Sequence, residues 1–74
     1  MATMKETLGS ICMLLDWSDI AEQYFDRTPQ WIYQRLNGSK VNGNPAEFSQ
    51  EDKDKLRKAL LDVSERIKEA ALKI

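Results

Sequence analysis

Residues 20–38 read Ile20-Ala21-Glu22-Gln23-Tyr24-Phe25-Asp26-Arg27-Thr28-Pro29-Gln30-Trp31-Ile32-Tyr33-Gln34-Arg35-Leu36-Asn37-Gly38. Two helical patterns flank a short break. In the first, Ile20, Ala21, Tyr24 and Phe25 form an apolar stripe, and Asp16 or Ser18 upstream can cap it, with Asp19 and Glu22 favoured by the positive end of the helix dipole. In the second, Thr28 is placed to accept from an orphan backbone N–H, and Pro29 is tolerated only in a first turn, so a helix runs from Pro29 to Asn37. Gly38 closes it, because glycine reaches positive φ at least cost. Ala21 is small enough for two helices to cross closely, which gives the segment the organisation of a helix-turn-helix. The glycine common in such turns is missing. Phe25-Asp26 stand in its place and predict a turn longer by about one residue.

Working outward toward the N-terminus, Met4, Leu8, Ile11, Cys12 and Leu15 follow the spacing of one helical face and predict a first helix over residues 4–15, which Gly9 weakens. Toward the C-terminus, residues 39–48 hold the turn dipeptide Asn42-Gly43 and Pro45, a loop or short hairpin anchored by Val41 and Phe48. Ser49 with Asp52 resembles a capping box and opens the longest helix, ending near Leu72. Within it Leu56, Leu60, Val63, Ile67, Ala70 and Ile74 follow heptad spacing. A helix of that length outreaches the body that short helices build, so Val63, Ile67, Ala70 and Ile74 are expected to overhang or to pair with a second copy. The expectation is one all-α domain, residues 1–74, of four helices with a central helix-turn-helix and a long C-terminal helix.

Composition bounds the function. A chain of 74 residues is one domain, and at this size roughly 60% of the unfolded surface is buried, so stability is marginal. A hydrophobic fraction of 42% is too high for a disordered chain. Cys12 is the single cysteine, so no internal disulfide forms, which favours a reducing, cytoplasmic setting. No apolar run reaches a bilayer-spanning length and no signal-peptide pattern opens the chain, so it is expected to be neither exported nor embedded. The net charge of −1 excludes a protein that coats nucleic acid by bulk electrostatics. Residues 26–48 are the least acidic stretch, with Arg27, Arg35 and Lys40 against Asp26 and Glu47.

Chemistry is scarce. With no histidine and one cysteine, neither a metal site nor a nucleophilic triad can be assembled, and no cofactor motif is present. The acid pairs Asp16/Asp19 and Glu51/Asp52 sit at helix starts, where capping and dipole roles account for them. An enzyme is not expected. Cys12 reads as a buried inert thiol rather than a redox sensor, and Trp17 and Trp31 as packing residues rather than base-stacking platforms.

On the helix from Pro29 to Asn37, Ile32 and Leu36 share a face with Pro29, with Trp31 beside them, and these are expected in the core. Gln30, Tyr33, Gln34 and Asn37 point the other way. Amide side chains can pair bidentately with adenine in the major groove, and tyrosine can meet a phosphate or a thymine methyl. Arg27, Arg35 and Lys40 would hold phosphates. The plain alternative is a solvated polar face.

The segment Trp31-Ile32-Tyr33-Gln34-Arg35-Leu36-Asn37-Gly38, followed by Val41-Asn42-Gly43 and Phe48, resembles a family of small Bacteroides-type proteins defined only as a domain of unknown function. The resemblance extends from the Trp17–Phe25 helix to the final helix and implies a fold, not an activity. Residues 20–38 alone are similar to phage-repressor-like helix-turn-helix domains, which bind operator DNA, usually as dimers. That resemblance implies Gln30, Tyr33, Gln34 and Asn37 as base-facing positions. The leading expectation is a small regulator binding duplex DNA, and the rival is a protein-interaction module that uses the long C-terminal helix.

Overall fold

A computed structural model describes residues 3–74, so residues 1 and 2 of the domain read from the sequence lie outside the described residues. The chain is mostly helical, with α1 (Met4–Leu8), α2 (Ile11–Leu14), α3 (Trp17–Ile20), α4 (Pro29–Asn37), a long α5 (Gln50–Leu72) and a two-stranded sheet, β1 (Lys40–Val41) with β2 (Asn44–Pro45). The helix expected over residues 4–15 is two helices. Gly9 takes φ +64° and ψ −139°, and its N–H closes on the Lys5 carbonyl, ending α1 before Ser10 restarts the chain as α2. Without a Cβ at Gly9 nothing opposes that break. The stripe Met4, Leu8, Cys12 and Leu15 still packs against the core from both pieces, while Ile11 is exposed.

Asp16 caps α3, its carboxylate accepting from the N–H groups of Ser18 and Asp19. Trp17, the first residue inside, is buried, and its indole N–H donates to the Cys12 carbonyl at 2.7 Å, tying α2 to α3. Cys12 itself is half-buried against the core. The helix continues beyond Ile20 as a π-helical turn over Ala21–Phe25, and the Ala21 carbonyl accepts from both Asp26 and Arg27. A π-helical turn accommodates one more residue than an α-helical one, and it absorbs the long turn read from the sequence. Asp26 then takes the left-handed conformation, φ 54° and ψ 46°, in the glycine's usual place.

The Thr28 side chain accepts from the Trp31 N–H, Pro29 begins α4, and Gly38 ends it with φ +66°. Asn42 and Gly43, with φ of 53° and 81°, form the two-residue turn of the hairpin, pairing Lys40 with Pro45 and Val41 with Asn44. Positive φ at both central positions matches the right-handed twist of paired strands. Ser49 caps α5 by accepting from the Asp52 N–H.

The core is a cluster of Trp17, Ile20, Ala21, Phe25, Ile32, Leu36, Phe48 and Leu56. Ala21 is wholly buried in this cluster, on the π-helical turn that packs against α4. Trp31, expected in the core, is half-buried at its edge. Along α5 burial fades with distance from this cluster. Leu56 and Ala59 are buried, Leu60 and Val63 half-buried, and Ile67 is 59% exposed. The molecule measures 48 × 24 × 19 Å, its long axis far exceeding the other two. At 1.5 Å rise per residue a helix as long as α5 spans roughly 34 Å, so its distal half projects beyond the body.

Candidate functional site

The outward face of α4 is the place where polar side chains converge on a rigid element. Ile32 and Leu36 are fully buried and fix the helix against α1, α3 and the π-helical turn. Their burial turns Gln30, Tyr33 and Asn37 to solvent, all exposed, while Gln34 is half-buried. The four stand at i, i+3, i+4 and i+7, one stripe of the helix. Three of the four expected face residues are therefore free, and the fourth is partly withdrawn.

Behind this stripe sits an aromatic cluster. Phe25 and Trp31 lie 5.2 Å apart between ring centroids, Trp31 and Phe48 6.0 Å apart in an edge-to-face arrangement, and Phe25 and Phe48 6.4 Å apart. Edge-to-face and tilted geometries place the positive rim of one ring near the negative face of another. Two guanidinium groups approach the Trp31 ring, Arg27 at 5.4 Å and Arg35 at 4.4 Å from its centroid. Arg35 also donates from Nη1 to the Trp31 carbonyl at 3.1 Å and is half-buried. Arg27 stays exposed. The two arginines thus differ: one is engaged by its own helix, the other retains its outward hydrogen-bonding capacity. Lys40 is exposed on β1, just past the C-terminal end of α4.

Sequence reasoning missed two cations near this helix. A shallow recess at the end of α4 is lined by Arg35, Glu47 and Lys53, which brings the first turn of α5 beside the hairpin. A second recess places Lys5 and Glu6 of α1 with Asn37. Both juxtapositions are tertiary, and no local pattern marks them. The i, i+4 spacing of Trp31 and Arg35, by contrast, was visible in the sequence.

A different site lies where α5 leaves the body. An open groove runs between α3 with the π-helical turn on one side and the distal half of α5 on the other. Its walls include Leu15, Ile20, Val63, Ile67 and Ala70, with Asp16 and Asp19 among its polar groups. At one end Tyr24 donates its hydroxyl proton to the Asp62 carboxylate, and Arg66 donates to the Tyr24 hydroxyl and to Gln23 Oε1 at 3.4 Å each. The hydrogen bond with Tyr24 is the first cause holding the Arg66 guanidinium further toward its charged form. The nearby carboxylates of Asp62 and Asp19 add to it. Among the described residues, no group of histidine, cysteine, aspartate and glutamate side chains has the arrangement of a metal site.

The elements described define a mostly helical domain with a long C-terminal helix and a small two-stranded sheet. The chain belongs to a family known as a domain of unknown function, DUF5053, whose model matches residues 4–74. No curated protein and no solved structure matches it. Among the described residues no helix is long and apolar enough to cross a membrane.

Proposed function

We propose that the chain is a small helix-turn-helix protein of the phage-repressor-like kind that binds duplex DNA in the cytoplasm as a regulator of transcription, with α4 as the helix that enters the major groove. The observation that carries this reading is the exposure of Gln30, Tyr33 and Asn37 on a capped helix whose opposite face is anchored by Ile32 and Leu36. Gln30 and Asn37 are seven residues apart, about 10 Å along the axis, which corresponds to roughly three base-pair steps. Each amide can pair with an adenine edge, and Tyr33 between them can meet a thymine methyl or a phosphate. Gln34, half withdrawn, serves at the margin of the same stripe. Arg27 and Lys40 hold phosphates at the two ends of the helix, and Arg35 keeps the aromatic support of α4 in place while presenting its charge nearby.

The test is fluorescence anisotropy with a pool of random duplexes, followed by selection of the bound fraction. Affinity is expected to fall steeply as salt rises, with Arg27→Ala and Lys40→Ala each lowering the salt slope by about one. On a selected site Gln30→Ala should cost roughly 1–3 kcal/mol and relax preference at one position only. Absence of any salt-sensitive binding at low salt would remove the proposal.

A second reading, an adaptor that docks a protein through α5, is favoured by Leu61, Ile67 and Leu72, all more than half exposed on that helix. A stable protein complex that duplex DNA fails to displace would support it over the first.

A further inference from the structure

We infer that the groove between α3 and the distal half of α5 is filled by the distal half of α5 from a second copy of this chain, in a reciprocal exchange that makes the protein a twofold dimer. The surface is distinct from the α4 face, so the inference stands whether or not α4 meets DNA. Three observations carry it. The first is continuity. The heptad seam begins in the core at Leu56, passes through half-buried Leu60 and Val63, and continues through Ile67, Ala70 and Ile74, which are exposed. Val63, Ile67 and Ala70 form one wall of the groove, yet Ile67, Ala70 and Ile74 stay exposed, so the seam keeps its period over a stretch that this chain alone leaves uncovered.

The second is charge. On the helical wheel, the seam beyond Val63 is flanked by Arg66 and Lys73 on one side and by Ser64 and Ala71 on the other, and Glu65, Lys68 and Glu69 lie on the far face. The groove that would receive it holds Asp16 and Asp19 on the opposite wall against one cation, Arg66, on the near wall. Two such helices meeting antiparallel as an isolated coiled coil would set the Arg66 and Lys73 flank of one against that of the other. Within the groove, each helix meets the other's seam and also the carboxylates of α3, which selects insertion over simple pairing.

The third is area. A reciprocal exchange counts each helix-in-groove contact twice, because each copy gives both a helix and a groove, which brings a short helical segment toward the roughly 1,200 Å² at which standard interfaces begin. The added apolar burial falls on a domain whose own core is small, where it stabilises most.

The experiment is sedimentation equilibrium on the full chain over roughly 10–500 µM, a range that brackets weak and moderate dimers. The wild type is expected to dimerise. Ile67→Glu should raise the dimer Kd by about 100-fold or more, since a carboxylate at the seam centre would be desolvated only in the dimer, and Ile67 is exposed enough in the monomer for its helicity by circular dichroism to persist. Asp19→Lys and Lys73→Glu should each weaken the dimer, and the double variant should recover most of the loss. A monomeric wild type across the range overturns the inference, as does a dimer indifferent to Ile67→Glu. A dimer broken by Ile67→Glu but indifferent to Asp19→Lys would mean that the seams pair outside the groove, which also overturns it.

Discussion

The guanidinium of Arg35 lies 4.4 Å from the centre of the Trp31 ring, one helical turn away, while its Nη1 donates to the Trp31 carbonyl. Arg35 thereby lies against an indole that Arg27, Phe25 and Phe48 also approach. The arrangement couples the charge of α4 to the aromatic packing that seats α4 on the body. Replacement of Arg35 by alanine should uncover the ring and shift tryptophan fluorescence to the red. The expected loss of stability is about 0.5–1 kcal/mol, the range of a partly exposed cation–π contact. Arg35→Lys should restore little of it, because an ammonium cannot lie flat on the ring. Unchanged emission and stability in Arg35→Ala would mean that the stacked geometry is not maintained in solution.

Two helix starts rest on single hydroxyls. Thr28 accepts from the Trp31 N–H, and Ser49 from the Asp52 N–H at 3.1 Å. Alanine at either position should cost about 1 kcal/mol in urea unfolding, with the m-value unchanged. Asparagine or aspartate should recover most of that loss. Equal stability of the alanine variants would show that water satisfies those backbone groups as well as the side chains do.

Asp26 occupies the left-handed region, which an L-residue with a Cβ adopts at a cost of roughly 1–2 kcal/mol, less for aspartate than for β-branched residues. Glycine there should leave stability equal or raise it by up to about 1 kcal/mol, since relief of strain outweighs or matches the added freedom of the unfolded chain. Asp26→Val should lower it by about 1–2 kcal/mol. Thermal unfolding of the two variants gives the comparison. A valine variant as stable as wild type would place the turn in another conformation.

Leu56, 3% exposed, joins α5 to the central cluster, whereas Leu61, 65% exposed, lies on the same helix outside it. Leu56→Ala should cost about 2–5 kcal/mol, enough to unfold much of a marginal domain at 25 °C. Leu61→Ala should stay within about 0.5 kcal/mol of wild type. Matching losses at the two positions would contradict the observed seating of α5.

The local elements were legible where a backbone group finds its partner within a few residues. Thr28-Pro29, Gly38, Asn42-Gly43 and Ser49 each satisfy or redirect the chain through neighbours in sequence, so α4, the hairpin and the start of α5 fall where the residues place them. Gly9 was legible as a weakness but not as a break, because whether a glycine bends or merely softens a helix depends on what the two halves pack against. Ala21 and the π-helical turn lie between these cases: the missing turn glycine signalled an extra residue, and only the packing of Phe25 against Trp31 and Phe48 shows where that residue is absorbed.

What the sequence determined by itself is the helical periodicity, the caps and the choice of which face of α4 is apolar, since these follow from spacing and short-range hydrogen bonding. The tertiary structure alone decided that Gln34 is half withdrawn, that Arg35 lies across Trp31, that Lys5 and Lys53 approach α4, and that α5 leaves an open groove beside α3. Those relationships join residues far apart in the chain, and packing in three dimensions selects them where no local preference can.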